Sequence, residues 1–152
     1  MGTHYDGAER ETRSLDTYIK LMRCVATLGG GLHRSLAGRG LTPSQFGVLE
    51  SLMHLGPMCQ KAVGQKLLLS GGNVTTVVKN LEKRGLISRT PRKEDRRFMT
   101  VALTDEGRTL IEEIFPAHAA DIADLMEHLE PTEQEALGAL CRKLGTGIAQ
   151  QD

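Results

Sequence analysis

Apolar positions along this chain recur mostly at helical spacing. Leu15, Tyr18, Ile19, Met22, Val25, Ala26, Leu32 and Leu36 fall on one seam and predict a long first helix. Gly29-Gly30-Gly31 interrupts the seam. Each glycine costs roughly 1 kcal/mol relative to alanine inside a helix, so a bend or break is expected there. Thr42-Pro43-Ser44-Gln45 then supplies a capping hydroxyl, a proline at the first helical position and a glutamine three residues after the threonine, the pattern of a capping box. Phe46, Leu49, Leu52 and Met53 line the helix it opens, and Gly56-Pro57 ends it. Val63 and Leu67 suggest a short third helix. Ser70-Gly71-Gly72 closes that helix and opens a fourth, where Val74, Val77, Val78 and Leu81 share a face and Gly85 supplies the stop.

Residues 87–90 and 98–103 are short β-prone runs on either side of Pro91-Arg92-Lys93-Glu94-Asp95-Arg96-Arg97, which predicts a hairpin with a charged tip. Two strands alone are marginal, so they are expected to lean on the helices. Thr104 caps a long helix carrying Ile111, Ile114, Phe115, His118, Ile122, Leu125, Met126 and Leu129, with a kink expected near Pro116. Pro131 begins a last helix with Leu137, Leu140, Cys141, Leu144 and Ile148 on one stripe. The fold class expected is mainly α (α+β).

Composition narrows this picture. The 152 residues suffice for one functional unit, and aromatics at 3% with no Trp leave an aliphatic core and argue against an aromatic cofactor cage. No cofactor is expected. No run approaches a membrane span and the polar N-terminus has no signal-peptide core, so a cytoplasmic protein with no membrane partner is expected. Net charge is zero overall but uneven. From Lys79 to Arg97 there are eight basic residues against three acidic ones (Glu82, Glu94, Asp95), whereas Thr109 to Cys141 holds eight acidic residues and neither Lys nor Arg. A basic centre with an acidic tail orients a protein on a polyanion.

Short helices followed by a basic hairpin make a winged helix-turn-helix, whose second motif helix enters the DNA major groove. Packing Val74, Val77 and Leu81 inward leaves Asn73, Thr75, Thr76, Lys79 and Asn80 outside. Asn can bond an adenine edge twice, Thr can meet a base or a thymine methyl, and Lys suits guanine or phosphate. Ser70, Gly71 and Gly72 at the helix start leave backbone N–H groups open to phosphate. The same residues taken alone also fit an ordinary solvated helix face.

Leu41-Thr42-Pro43-Ser44-Gln45-Phe46-Gly47-Val48-Leu49, the block SGGNVTTVVKNLEKRGLISR from Ser70 to Arg89, and Asp95-Arg96-Arg97 followed by Val101 to Gly107 occur in the order found in the multiple-antibiotic-resistance regulator (MarR) family. With its flanking helices, the chain resembles that family over roughly residues 15 to 145. The resemblance implies a flexible N-terminus over residues 1–13 and a single unit over 14–152. Within that unit, 42–104 would be the winged helix-turn-helix and 14–40 with 105–150 a helical dimerisation region. It implies a homodimer on a pseudo-palindromic double-stranded operator, with a small-molecule effector, acting as a repressor released by a ligand or oxidant. Arg89, Arg92, Lys93, Asp95, Arg96 and Arg97 would form the wing site, Asp95 holding the wing and Arg97 entering the minor groove. A plain solvent-exposed turn pair is the other reading of Asp95 with Arg97.

Met22, His33, His54, Phe115 and His118 are candidates for an effector pocket, although each also suits plain core. The run from Leu49 to Thr75 resembles the branch of the family that answers to phenols and quinones. Cys59 stands where the family commonly has a capping Ser or Thr, and it and Cys24 are the possible redox residues. For Cys24 and Cys141 packing is the favoured role. A thiol-based redox enzyme or a helical protein-interaction module are the competing readings. The sequence offers neither a phosphate loop nor a metal-spaced His/Cys set, so no metal and no enzymatic activity are expected.

Overall fold

The computed structural model describes residues 3–67, 69–93 and 95–149. Glu94 of the wing tip, the first two residues of the expected flexible N-terminus, and residues 150–152 of the C-terminal region lie outside them. The elements are α1 (Glu9–Gly38), α2 (Pro43–Leu55), β1 (Met58–Cys59), α3 (Gln60–Lys66), α4 (Gly71–Lys83), β2 (Ile87–Pro91), β3 (Met99–Leu103), α5 (Asp105–Met126) and α6 (Pro131–Ala149). The chain divides into two compact units, Met1–His118 and Ala119–Asp152.

The starts of α2, α4 and α5 follow from local chemistry. Thr42 accepts the Gln45 N–H while the Gln45 side chain accepts the Thr42 N–H, closing the capping box. Ser70 Oγ accepts the Asn73 N–H at 3.4 Å, and Thr104 Oγ1 accepts the Gly107 N–H at 3.0 Å. Gly40, Gly56 and Gly85 take positive φ after α1, α2 and α4, turning the chain where a side chain would be strained.

The sheet has the order β1-β3-β2, antiparallel throughout, with Met58 opposite Val101 and Ile87 opposite Leu103. The added strand is Met58–Cys59, too short to register as a periodic pattern. It turns a marginal hairpin into a three-stranded sheet. The core of the first unit is aliphatic: Leu36, Val48, Leu49, Leu52, Val63, Val78, Leu81, Val101 and Ile111 are at most 2% exposed. Leu81 from α4 and Val101 from β3 thus share a core with α2, which fixes the fourth helix and the hairpin relative to each other.

Two expectations need correction. The helix α1 runs unbroken through Gly29-Gly30-Gly31, where the sequence predicts a bend or break. Helix propensity is a weak preference that the flanking turns of a 30-residue helix outweigh, and its C-terminal end is pinned by Leu36 in the core. Cys24 and Cys141 are exposed, so neither is core within the chain. Both lie on helices whose apolar side chains are themselves largely uncovered: Tyr18, Met22 and Val25 on α1, and Leu140, Leu144 and Ile148 on α6. In the second unit the Gln134 amide donates to the Met126 and Leu129 carbonyls at 3.0 Å each, closing the corner between α5 and α6.

Candidate nucleic-acid interface

The helix α4 presents two chemically distinct sides. Val74, Val78 and Leu81 are buried, while Asn73, Thr76, Lys79 and Asn80 are exposed. Val77 is half-buried. The hydroxyls of Thr75 and Thr76 donate to the Gly71 and Gly72 carbonyls one turn back, leaving their oxygens as acceptors. Thr75 is half-buried and accepts from the Gln60 amide at 3.1 Å, so its donor and one of its two acceptor positions are used inside the protein. At the start of the helix, a Cβ built on Gly71 or Gly72 would meet nothing within 4 Å, so the backbone there is open to close approach by an anion.

The wing is ordered by Asp95. Its carboxylate accepts the Arg97 backbone N–H at 3.0 Å and grips the Arg97 guanidinium, with Nε at 3.0 Å from Oδ1 and Nη2 at 2.8 Å from Oδ2. Phe98 N–H donates to the Asp95 carbonyl, and Arg92 N–H to the Phe98 carbonyl, completing the tip. The Arg97 side chain is nevertheless 87% exposed, aimed outward in a fixed pose. The side-chain bond from Arg97, the Arg97 N–H and the nearby charge of Arg92 hold the Asp95 carboxyl below its usual range, and the same pair raises Arg97.

Not every cation in the basic segment is available to a polyanion. Arg84 donates to the Gly40 carbonyl at 2.9 Å and lies 3.4 Å from Gln45 Oε1, tying the end of α4 to the α1–α2 junction. Arg89 sends Nε and Nη2 to Glu82 Oε2 at 2.9 and 2.5 Å. Lys79 on α4, and Lys93 and Arg96 in the wing with Arg97, are exposed.

A cleft of about 320 Å³ separates α4 from the wing, with Cys59, Gln60, Thr75, Arg89, Arg97 and Phe98 among its lining residues. Cys59 precedes α3 with no side-chain capping bond, as expected of a thiol, and is half-buried there. The five effector candidates are dispersed. His54 meets Phe115 edge-on at 5.0 Å, and His118, buried and with Nδ1 unpartnered, lies 4.1 Å from the Phe46 ring. Met22 and His33 are exposed on α1. Two residues take roles that only their contacts in the folded unit reveal. Glu82 acts through its hold on Arg89, and Gly107 is needed because a Cβ there would stand 1.8 Å from the Leu86 carbonyl oxygen.

Residues 41–98 match the model of the MarR family. The chain is 33% identical to the HTH-type transcriptional regulator MhqR of Bacillus subtilis over 138 residues, covering 91% of this chain and 95% of that one. It is 34% identical to the HTH-type transcriptional repressor MdtR of the same organism, over 82% of this chain and 79% of that one. Among solved structures it resembles Bordetella bronchiseptica BpsR, whose DNA binding is regulated by 6-hydroxynicotinic acid, with a TM-score of 0.78, 27% identity, and 85% and 98% of the two chains covered. With the capped second helix, the two-sided fourth helix and the Asp-held wing all in place, the chain belongs to the MarR family of winged helix-turn-helix transcriptional regulators.

Proposed function

We propose that this regulator acts in the cytoplasm as a homodimeric repressor on a pseudo-palindromic duplex, each protomer reading one half-site. The observation that carries this reading is the exposed polar face of α4 beside an outward, Asp-held arginine. Asn73, Thr76, Lys79 and Asn80 take the base edges, Ser70, Gly71 and Gly72 take phosphate at the helix start, and Arg97 enters the minor groove. Arg92, Lys93 and Arg96 supply nonspecific attraction to the backbone. Thr75 is left out of the principal readers because it is half-buried and tied to Gln60, unlike the exposed side chains beside it. The likeness to a repressor, MdtR, supports the direction of control. The uncovered apolar seam of α1 and stripe of α6 support the dimer, since small soluble proteins rarely leave such surfaces open.

The effector is a small hydroxylated aromatic compound. Its support is the likeness to BpsR, together with aromatic and imidazole side chains at His54, Phe115, Phe46 and His118 in one unit. The test measures operator and random-duplex affinities for Asn73→Ala, Thr76→Ala and Lys79→Ala. At the operator, each residue that reads a base costs on the order of 1 to 3 kcal/mol, with little change on random duplex. Equal losses on both duplexes for all three variants would remove α4 as the reader.

A further inference from the structure

Arg89 belongs by sequence to the wing cations, but its placement sets it apart from them. It stands in β2 opposite Val101, with its side chain 21% exposed where that of Arg97 is 87% exposed. Two of its N–H groups converge on one oxygen of Glu82, at 2.9 and 2.5 Å. That bond spans the turn Arg84-Gly85-Leu86 between α4 and β2. Glu82 is therefore an acidic residue on the reading helix whose charge would repel DNA, yet it is engaged by a cation that DNA would otherwise attract.

We propose that Glu82 is a positioning residue, holding Arg89 as an internal strut that sets the wing against α4, and that Arg89 is not a DNA ligand. Two N–H donors on one carboxylate oxygen fix an angle as well as a distance, which a single contact to a lysine would not. Arg89 lines the cleft between helix and wing together with Arg97, so the strut that holds Arg89 governs how far Arg97 stands from the base-reading side chains. This inference rests on the DNA-binding reading given above.

The test compares Glu82→Gln, Arg89→Lys, Arg89→Gln and the double variant Glu82→Gln/Arg89→Gln with the unaltered full-length protein. Operator affinity is measured across a salt series, and amide hydrogen exchange is followed in the free protein. Glu82→Gln should weaken operator binding on the order of fivefold although it removes a negative charge facing a polyanion, and the double variant should be no weaker than the single ones. The salt slope of Arg89→Gln should match that of the unaltered protein, and exchange should quicken in β2 and β3 while α2 stays protected. Unchanged or tighter binding by Glu82→Gln overturns the proposal. So does a slope reduced by about 0.9 in Arg89→Gln, the mark of a lost phosphate contact. Faster exchange throughout the unit would likewise reduce the pair to a general stability contact and overturn it. Arg89→Lys keeps the charge and removes the paired geometry, so it decides the matter if the glutamine variants fold poorly. A strut predicts weakening and a phosphate ligand predicts affinity retained. Failure of the unaltered protein to prefer any duplex would instead refute the DNA-binding reading itself.

Discussion

The pair Asp95–Arg97 shows how one carboxylate changes what a neighbouring cation can do. An unrestrained arginine on a loop loses rotamer freedom when it enters a groove, whereas Asp95 fixes its direction beforehand through the backbone N–H and the guanidinium. Arg97→Ala should weaken binding to operator and random duplex alike and lower the salt slope by roughly one unit. Asp95→Ala should weaken binding too, against the sign expected from removing a negative charge, and titration of affinity by fluorescence anisotropy reads both. A gain in affinity for Asp95→Ala would contradict the role given to it. Both Asp95 and Glu82 have carboxyls lowered by arginine partners, so their contribution to wing order is fully present above the ordinary carboxylate range. It is lost as pH falls through their folded values. NMR titration should therefore place the Asp95 midpoint below 3.8, with wing amides unmoved from neutral pH down to about 5. A midpoint at or above 3.8 would mean that Asp95 and Arg97 are not paired in solution.

At the scale of elements, capping and periodicity carried most of the information. Thr42-Pro43-Ser44-Gln45 specifies α2 through its own hydrogen bonds, and Val74, Val78 and Leu81 announce the buried side of α4, so the exposed side follows by subtraction. What escaped the pattern depends on contacts distant in sequence. Met58–Cys59 becomes a strand only because β3 lies beside it, and Glu82 reads as one more surface acid until Arg89 is folded against it. Gly107 is legible in the family-like run but its reason is tertiary. Gly107→Ala should cost at least 1–3 kcal/mol in denaturant unfolding, because a backbone carbonyl cannot move aside as a side-chain tip can. The unbroken α1 makes the opposite prediction for Gly29, where an added Cβ meets nothing within 4 Å. Gly29→Ala should stabilise by about 0.5–1 kcal/mol unless a second chain fills that space.

Across the whole chain, exposed basic side chains gather on α4 and the wing, and α1 and α6 each carry more apolar surface than their own unit covers. The proposed homodimer would cover that surface and impose two-fold symmetry on the DNA it reads. Sedimentation equilibrium at micromolar concentration should give twice the 16.6 kDa chain mass, and a monomer would remove the paired half-sites. Among the described residues no helix is long and apolar enough to cross a membrane.

Two copies of one reading helix and wing should recognise sequence, and selection of bound duplexes from a random pool shows whether they do. The pool should become enriched in an inverted repeat whose half-site centres lie about one helical turn, roughly 10 base pairs, apart. Enrichment should be lost when Asn73, Thr76 and Lys79 are replaced together by alanine. A pool that stays random with the unaltered protein, or that converges on the same sequence with the triple variant, would mean that α4 and the wing do not read DNA in this way.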